Sequence, residues 1–370
     1  MGVSKIVFGD TVLIDLTGDT VTAATLDKGA TAHDKAGNQI VGTMEAGESI
    51  KFGATLDTFL GDVDSNGVLQ APSAETNLVF SGVTDIGDSS LKYFRYHGTN
   101  INSASFTNLT QITGRYALMY ALYSSSVSFV SFPVLESLSG NSCLKSAFSE
   151  CNSLQSIEFP SLVSISGNNA LDSMCQYSKD ALTSISFPVL KEITGNSACS
   201  RIAYTCSSLT SVTFPELETI TGDTAFQNAF YSCQKLNSIL FPKLKTIGSS
   251  TENSLNYGQF SYALHNTPIT SLEFPELTEI YCTGFSPSCG TFYGNDQIQK
   301  MYFPKLSVID KSPAYSSGTT STAQNYIFGR CSSLTEIHFS AANQAAIEAT
   351  SGYPTLWGRG AGKATVYFDL

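Results

Sequence analysis

The chain repeats one short text in its middle: SLQSIEFPSLVSISG (153–167), ALTSISFPVLKEITG (181–195), SLTSVTFPELETITG (208–222) and KLNSILFPKLKTIG (235–248). The central Phe of this text recurs far beyond these copies, at Phe80, Phe106, Phe132, Phe159, Phe187, Phe214, Phe241, Phe274, Phe303 and Phe339. Successive members are separated by 26, 26, 27, 28, 27, 27, 33, 29 and 36 residues. A period of about 20 to 50 residues is typical of solenoids, whose units each bury an apolar face against their neighbours.

The residues that lead into each Phe predict a short β-strand. Apolar residues stand five and two positions before it, as Leu154 and Ile157 do before Phe159, with polar residues between them. This pattern places the Phe as the last inward residue of the strand. Seven of the twelve prolines directly follow a Phe. Because proline has no backbone N–H to donate to a sheet, we expect the strand to end there.

The residues after the Phe-Pro step predict a return path. A second apolar pair follows, such as Leu162 and Ile165, and then a turn glycine such as Gly167. The next segments, for example NSACSRIAYTC and DTAFQNAFYSC, place apolar residues three or four positions apart. This spacing predicts a helical turn or short helix on the outer face of each unit.

One column, eight residues before the Phe, holds only Cys or Asn in six units. Its members are Cys151, Cys206, Cys233, Asn266, Asn295 and Cys331. We interpret them as a structural ladder, since free Cys behaves as a small buried hydrophobe. The alternatives are metal ligation, for which His partners at suitable spacing are missing, and disulfides. Among the other cysteines, Cys282 and Cys289 could pair under oxidation, a question that the sequence leaves open.

The whole motif, FPxLxxIxG…AF…C…LxxIxF, resembles the BspA-like class of leucine-rich repeats over residues 76–340. The resemblance implies an α/β solenoid of about ten coils with a parallel sheet on the concave face. It also implies a role in adhesion or recognition, although members of this class bind dissimilar partners. The chain departs from the usual repeat in its greater length and in swollen arms at 249–266, 281–295 and 310–330.

Residues 1–46 are not repeats. The text LIDLTGDTVTAATLDKGATAHDKAGNQIVGTM (13–44) resembles an N-terminal module of tail-fibre and other tail proteins from phages and prophages of Firmicutes. The resemblance implies a small β-rich module that attaches this end to other tail proteins, with the repeats facing outward. The first residues lack the pattern of a secretory signal, which agrees with a protein released by lysis.

The remaining segments are assigned to linker and caps. Residues 47–75 are expected to form a linker that merges into an N-terminal cap. Residues 341–370 are expected to cover the last coil, as solenoids require, with a helix and a final strand. The text DVDSNG (62–67) has part of a calcium-loop pattern but lacks the distal Glu and the flanking helices, so we expect no calcium site.

Composition excludes several classes of function. The chain has 20 Lys and Arg against 31 Asp and Glu, a formal net charge of −11, which disfavours binding to nucleic acids and to anionic membranes. The four histidines lie far apart, and no GxSxG, HExxH, Walker A or GxGxxG motif is present. We therefore expect no enzymatic activity, no cofactor and no metal.

Candidate binding residues come from the outward positions of the strands, which pave the concave face in a leucine-rich repeat. The position three before the Phe is nearly always Ser and indicates structure, whereas the position one before it varies. Towards the C-terminus these positions become larger, more charged and more aromatic. The predicted partner-binding residues are Leu240, Glu273, Lys300, Tyr302, Glu336 and His338. A second candidate surface is formed by tyrosines of the outer arms: Tyr96, Tyr257, Tyr262 and Tyr293.

Together these features favour a non-enzymatic recognition protein. The leading hypothesis is a phage or prophage tail fibre or receptor-binding protein, located in the virion tail, that contacts a bacterial surface glycan or protein. One alternative is an extracellular or cell-surface BspA-like adhesin, and another is a purely structural tail component. The sequence leaves the receptor, the host and the oligomeric state open, including whether the chain forms a homo-oligomer.

Overall fold

The computed structural model describes most of the repeat region and parts of both ends. The described residues are 5–8, 11–15, 31–33, 39–41, 49–52, 76–80, 83–88, 91–92, 101–249, 258–281, 290–310, 327–350 and 364–370.

Nearly all the regular structure is β-strand. The strands are β1 Lys5–Phe8, β2 Thr11–Asp15, β3 Thr31–His33, β4 Gln39–Val41, β5 Ser49–Phe52, β6 Thr76–Phe80, β7 Ile101–Ser105, β8 Gln111–Ile112, β9 Phe129–Ser131, β10 Ser137–Leu138, β11 Ser156–Glu158, β12 Ser164–Ile165, β13 Ser184–Ser186, β14 Glu192–Ile193, β15 Ser211–Thr213, β16 Thr219–Ile220, β17 Ser238–Leu240, β18 Thr246–Ile247, β19 Ser271–Glu273, β20 Glu279–Tyr281, β21 Lys300–Phe303, β22 Val308–Asp310, β23 Glu336–Phe339 and β24 Thr365–Phe368. The helices of the described residues are a 3-10 turn at Ala341–Asn343 and α1 at Gln344–Glu348.

The strands stack in parallel, one coil on the next. Those that lead into the Phe residues form three four-stranded sheets, ordered β5-β6-β7-β9, β11-β13-β15-β17 and β19-β21-β23-β24. The short strands after the Phe residues form one continuous sheet of eight, from β8 to β22. The turn glycines let the coils approach, because a Cβ on Gly195 would lie 2.2 Å from the carbonyl oxygen of Gly167.

The repeated Phe residues lie in one internal column, as predicted. All ten are at most 2% exposed. Their rings stack in chain order with centroid distances between 4.4 and 5.9 Å. Phe368 of β24 extends the column past Phe339 at 5.9 Å.

The solenoid has about eight turns, fewer than the ten expected from the count of Phe residues. The difference arises at its ends. After Phe80 the position of the second strand holds only an isolated bridge, Asp85 to Gln111. After Phe339 the chain enters the 3-10 turn and α1 instead of a second strand. The first and last Phe therefore belong to incomplete coils.

The expectation of helical outer arms is wrong. In the arm after Gly140, the N–H groups of Ser142, Leu144 and Ser146 bond to carbonyl oxygens of the next coil. The N–H groups of Lys145, Ala147 and Ser149 bond three residues back. Backbone φ is positive at every fourth residue, here Ser142, Ser146 and Glu150. The apolar spacing of three to four therefore reflects successive turns bonded between coils, which differ from the i to i−4 bonds of an α-helix.

The two ends differ in their relation to the repeats. In the N-terminal segment β1 pairs with β2 and β3 with β4, both antiparallel. Strand β5, within the segment expected as linker and cap, pairs in parallel with β6 and places Phe52 in register with Phe80. At the other end β24 pairs with β23 and closes the last sheet.

Candidate functional site

Along the strands that lead into the Phe residues, buried and outward-facing side chains alternate, as the sequence predicts. In β11, β15 and β17 the central residue is buried and the last residue is exposed. The largest apolar side chains on this face are Phe129, 53% exposed, and Leu240, 63% exposed. They lie in different sheets, because Phe129 belongs to β9 and Leu240 to β17.

The C-terminal end of this face carries a row of rings. Tyr302, His338 and Tyr367 are in register on adjacent strands. The Tyr302 and His338 rings stack at 4.7 Å, and the His338 and Tyr367 rings at 4.8 Å. Glu273 is in register with Tyr302 and begins the same row. The structure thus brings together three of the predicted residues, Glu273, Tyr302 and His338.

His338 is buried, although the sequence places it among the exposed residues. Its side chain is 11% exposed between the two tyrosine rings. Nδ1 lies 2.9 Å from Asp369 Oδ1, and Nε2 lies 3.2 Å from Glu336 Oε2. The cause is the C-terminal segment, in which β24 contributes Tyr367 and the residue after the strand, Asp369, contacts the same imidazole. Neither residue was predicted, because residues 341–370 were expected to form only a cap.

A charged pair lies beside the ring row. Lys300 and Glu336 are in register on β21 and β23, and Lys300 Nζ lies 2.8 Å from Glu336 Oε2. The hydrogen bond from Lys300, followed by that from His338, lowers the pKa of Glu336. The same bond to Glu336 raises the pKa of Lys300. Both groups are therefore held in their charged forms. Leu240 stands apart from them in the neighbouring sheet.

The Cys and Asn ladder lies inside the solenoid and bonds to the backbone of the preceding coil. The thiols of Cys151, Cys206, Cys233 and Cys331 donate at 3.0 to 3.1 Å to the carbonyl oxygens of Leu122, Cys175, Ala203 and Phe292. Asn295 donates to the Phe260 carbonyl at 3.0 Å and accepts from the Leu264 N–H at 2.7 Å. Burial raises the pKa of Cys151 to about 11. These buried thiols are poor nucleophiles and poor ligands.

Asn266 does not occupy this column. Its side chain is exposed, its φ is +56°, and it bonds to Ser232 of the previous coil. The next residue, Thr267, is buried and donates to the Leu264 carbonyl. Only one residue separates Thr267 from Ile269, whereas two separate Cys233 from Leu236, so counting back from the Phe misplaces the column by one. Ser178, also buried, fills it between Cys151 and Cys206 and was not predicted.

Several expectations lie outside the described residues. They concern the Cys282–Cys289 pair, the DVDSNG segment, Tyr96 and Tyr257. Cysteines Cys143, Cys151, Cys175, Cys199, Cys206, Cys233 and Cys331 are free thiols. Among the described residues, no group of three or more His, Cys, Asp and Glu could hold a metal ion. Within the same parts of the chain, no helix has the length and apolar character needed to cross a bilayer.

Among solved structures, three resemble this chain in part. A leucine-rich repeat protein from Bacteroides ovatus is 19% identical, with 87% of this chain and 71% of that chain covered and a TM-score of 0.37. The pneumococcal vaccine antigen PcpA is 14% identical, with 99% and 88% covered and a TM-score of 0.27. An internalin from Listeria monocytogenes is 10% identical, with 80% and 81% covered and a TM-score of 0.25. No curated protein matches the chain.

The family model is more informative. The model described as the BspA type leucine-rich repeat region matches residues 76–192, 116–256, 181–290 and 204–319. The match begins at residue 76 and so does not bear on the tail-protein resemblance of residues 1–46. It covers more than half of the chain and agrees with the stacked coils, the Phe column and the Cys ladder. The chain belongs to the BspA-type leucine-rich repeat family.

Proposed function

We propose that this chain is a non-enzymatic recognition protein that binds a bacterial surface glycan or protein through the C-terminal end of its strand face. The observation that carries the proposal is the row of Tyr302, His338 and Tyr367 beside the Lys300–Glu336 pair. Aromatic rings flanked by polar and charged groups are typical of binding surfaces, because they combine apolar area with hydrogen bonding.

The arrangement also holds these groups in place before a partner arrives. The Tyr302 ring is stacked on a buried imidazole, and that imidazole is fixed by two carboxylates. Tyr367 is 38% exposed on the far side of His338. Because little side-chain freedom remains to be lost, binding to such a surface costs less entropy than binding to mobile side chains. Leu240 and Glu273 would extend the contact towards the preceding coils.

More specifically, we propose that the recognition protein is a phage or prophage tail fibre or receptor-binding protein. In this proposal residues 1–46 bind other tail proteins, and the repeats point towards the host. It is supported by the resemblance of residues 13–44 to tail-protein modules. The BspA-type family favours the alternative of a surface or adhesin-like repeat protein. Immunogold labelling would distinguish them, since antibodies against the chain should decorate virion tails in the first case and intact cells in the second.

The binding surface is tested by adsorption of purified protein to host cells. Tyr302→Ala with Tyr367→Ala removes the outer rings and should weaken adsorption about thirtyfold, the equivalent of about 2 kcal/mol. His338 is left in place because it is buried, and its loss would disturb the fold. Phe129→Ala is the matched control, an exposed ring on the same face at the N-terminal end.

Three outcomes would contradict the proposal. If the double variant adsorbs as well as the native chain while its melting temperature is unchanged, the strand face is not the contact surface. If a fragment ending near residue 46 adsorbs to cells by itself, the roles of the two ends are reversed. Loss of adsorption in the Phe129→Ala control would instead move the contact surface to the other end of the face.

A further inference from the structure

The outer arms carry a second set of rings at regular positions. In these arms one residue lies two places before the ladder position, and its N–H bonds three residues back. The ladder position holds Ser125, Cys151, Ser178, Cys206, Cys233, Thr267 and Asn295. We name the residues two places before it the edge column: Tyr123, Ser149, Gln176, Tyr204, Tyr231, His265 and Tyr293. Rings of adjacent coils stack along it, at 4.9 Å for Tyr204 and Tyr231 and at 4.6 Å for Tyr231 and His265.

This ring column is interrupted at two successive members, Ser149 and Gln176. Tyr123 stands in the coil before Ser149, and Tyr177 stands next to Gln176 in the coil after it. The side chains at the interruption are smaller than the rings at Tyr204, Tyr231 and His265, and a groove lies at this place on the surface.

The space at Ser149 is an open groove of about 450 Å³, which is within the range of about 300 to 1,000 Å³ typical of small-molecule sites. Tyr120 and Tyr123 form one wall, and their rings meet edge to face at 5.7 Å. Ser146 and Ser149 line the groove between the walls, and both are buried.

The opposite wall is formed by Gln176 and Tyr177. Tyr177 is 37% exposed, and its ring is held by the edge of Tyr204 at 5.7 Å and by Lys179 Nζ at 5.4 Å. Glu150 lies between the walls and accepts a hydrogen bond from the Tyr123 hydroxyl. The groove thus combines tyrosine rings on both sides with a carboxylate, a carboxamide and two serine side chains.

We propose that this groove binds a neutral pyranose sugar. Aromatic rings provide flat apolar surface for the C–H face of a sugar. Carboxylate and carboxamide groups can accept and donate the hydrogen bonds that sugar hydroxyls require. The carboxylate of Glu150 and the net charge of −11 disfavour sugars that carry an acid group. The site is independent of the strand face at the C-terminus, so either site can exist without the other.

The test is saturation-transfer NMR and calorimetry on the full chain. The probes are methyl glycosides of glucose, galactose, mannose and N-acetylglucosamine and their β-linked disaccharides. We expect saturable binding of at least one neutral probe. Tyr177→Ala should weaken it about tenfold, and glucuronic acid should not bind. Tyr231→Ala is the matched control, since it removes a stacked edge-column ring that does not line the groove.

Ser149→Tyr is the sharpest variant. It adds the ring that the edge column has in other coils and so fills the groove, but it also removes the hydrogen bond from the Ser149 hydroxyl to the Gln176 carbonyl. We expect a folded chain with a lower melting temperature and complete loss of sugar binding. The proposal is overturned if no neutral probe binds saturably, or if folded Ser149→Tyr binds as the native chain does. It is also overturned if choline chloride binds in place of the sugars, since the groove would then be a cage for cations.

Discussion

Replacing Phe187 by alanine tests the central claim about the fold, that the Phe column holds the coils together. The Phe187 ring is fully buried and stacks on Phe159 at 5.2 Å and on Phe214 at 5.1 Å. Both neighbouring rings belong to other coils, so the variant removes contacts within one coil and across two coil interfaces.

The expected cost can be worked from these contacts. Burial of an aromatic side chain removes about 150 to 250 Å² from water, which at about 25 cal/mol per Å² gives roughly 4 to 6 kcal/mol. This is an upper estimate, because the unfolded chain already buries part of its surface. Measured Phe→Ala costs are about 3 to 5 kcal/mol. We therefore expect Phe187→Ala to lower the free energy of unfolding by about 4 kcal/mol.

Urea unfolding followed by far-ultraviolet circular dichroism measures this difference. Phe187→Leu keeps most of the buried volume but loses two ring pairs, and should cost about 2 kcal/mol. Phe129→Ala, which truncates a half-exposed ring, should cost about 1 kcal/mol or less. Equal costs for Phe187→Ala and Phe129→Ala would refute the stacked core.

Two further predictions concern the ladder inside the coils. Asn295→Ala should lower the free energy of unfolding by about 2 kcal/mol or more in urea, since it leaves buried backbone groups without partners. Asn266→Ala, at an exposed residue, should lower it by under about 0.5 kcal/mol. Similar costs for the two variants would contradict the shifted column. Burial raises the pKa of Cys151 to about 11 and that of Cys233 to about 12, so above about pH 8.5 the unfolded chain loses protons that the native chain keeps. The urea midpoint should therefore fall as pH rises from about 9 to 11, and Cys233→Ala should reduce this fall; a constant midpoint would contradict it.

The Phe column could be predicted from the sequence because its constraints are local. In each unit the alternation of the strand sets the Phe side chain towards the core, and in most units the Pro that follows ends the strand. The arms could not be predicted, because half of their N–H groups bond to the next coil, about 27 residues away, as Leu144 does to Ala170. Apolar residues at a spacing of three to four fit a helix and this turn structure equally well.

The candidate site was predicted only in part for a related reason. Tyr302, Lys300 and Glu336 could be placed by their distance from a Phe. The burial of His338 depends on Tyr367 and Asp369, which reach the same face from a strand beyond residues 341–350. Nothing in the spacing around His338 indicates this pairing. The shift of the ladder from Asn266 to Thr267 has a local cause, because one residue fewer separates the ladder position from Ile269.

Candidate binding residues in this solenoid are outward residues that differ from the residue at the same position of the other repeats. Inward positions are contacted by coils on both sides, so Phe, Leu and Ile must recur at each of them. Exposed outward positions carry fewer constraints from neighbouring coils, and a change there costs little stability. Ser149 is constrained more than these, because its hydroxyl donates to the Gln176 carbonyl of the next coil. Ser149 departs from a column that holds Tyr or His in five of its seven members, and Tyr302 is a large ring in a varied column that also holds Ser131, Thr213 and Glu273. Neither departure improves the packing of the core, and these are the two places at which we propose binding.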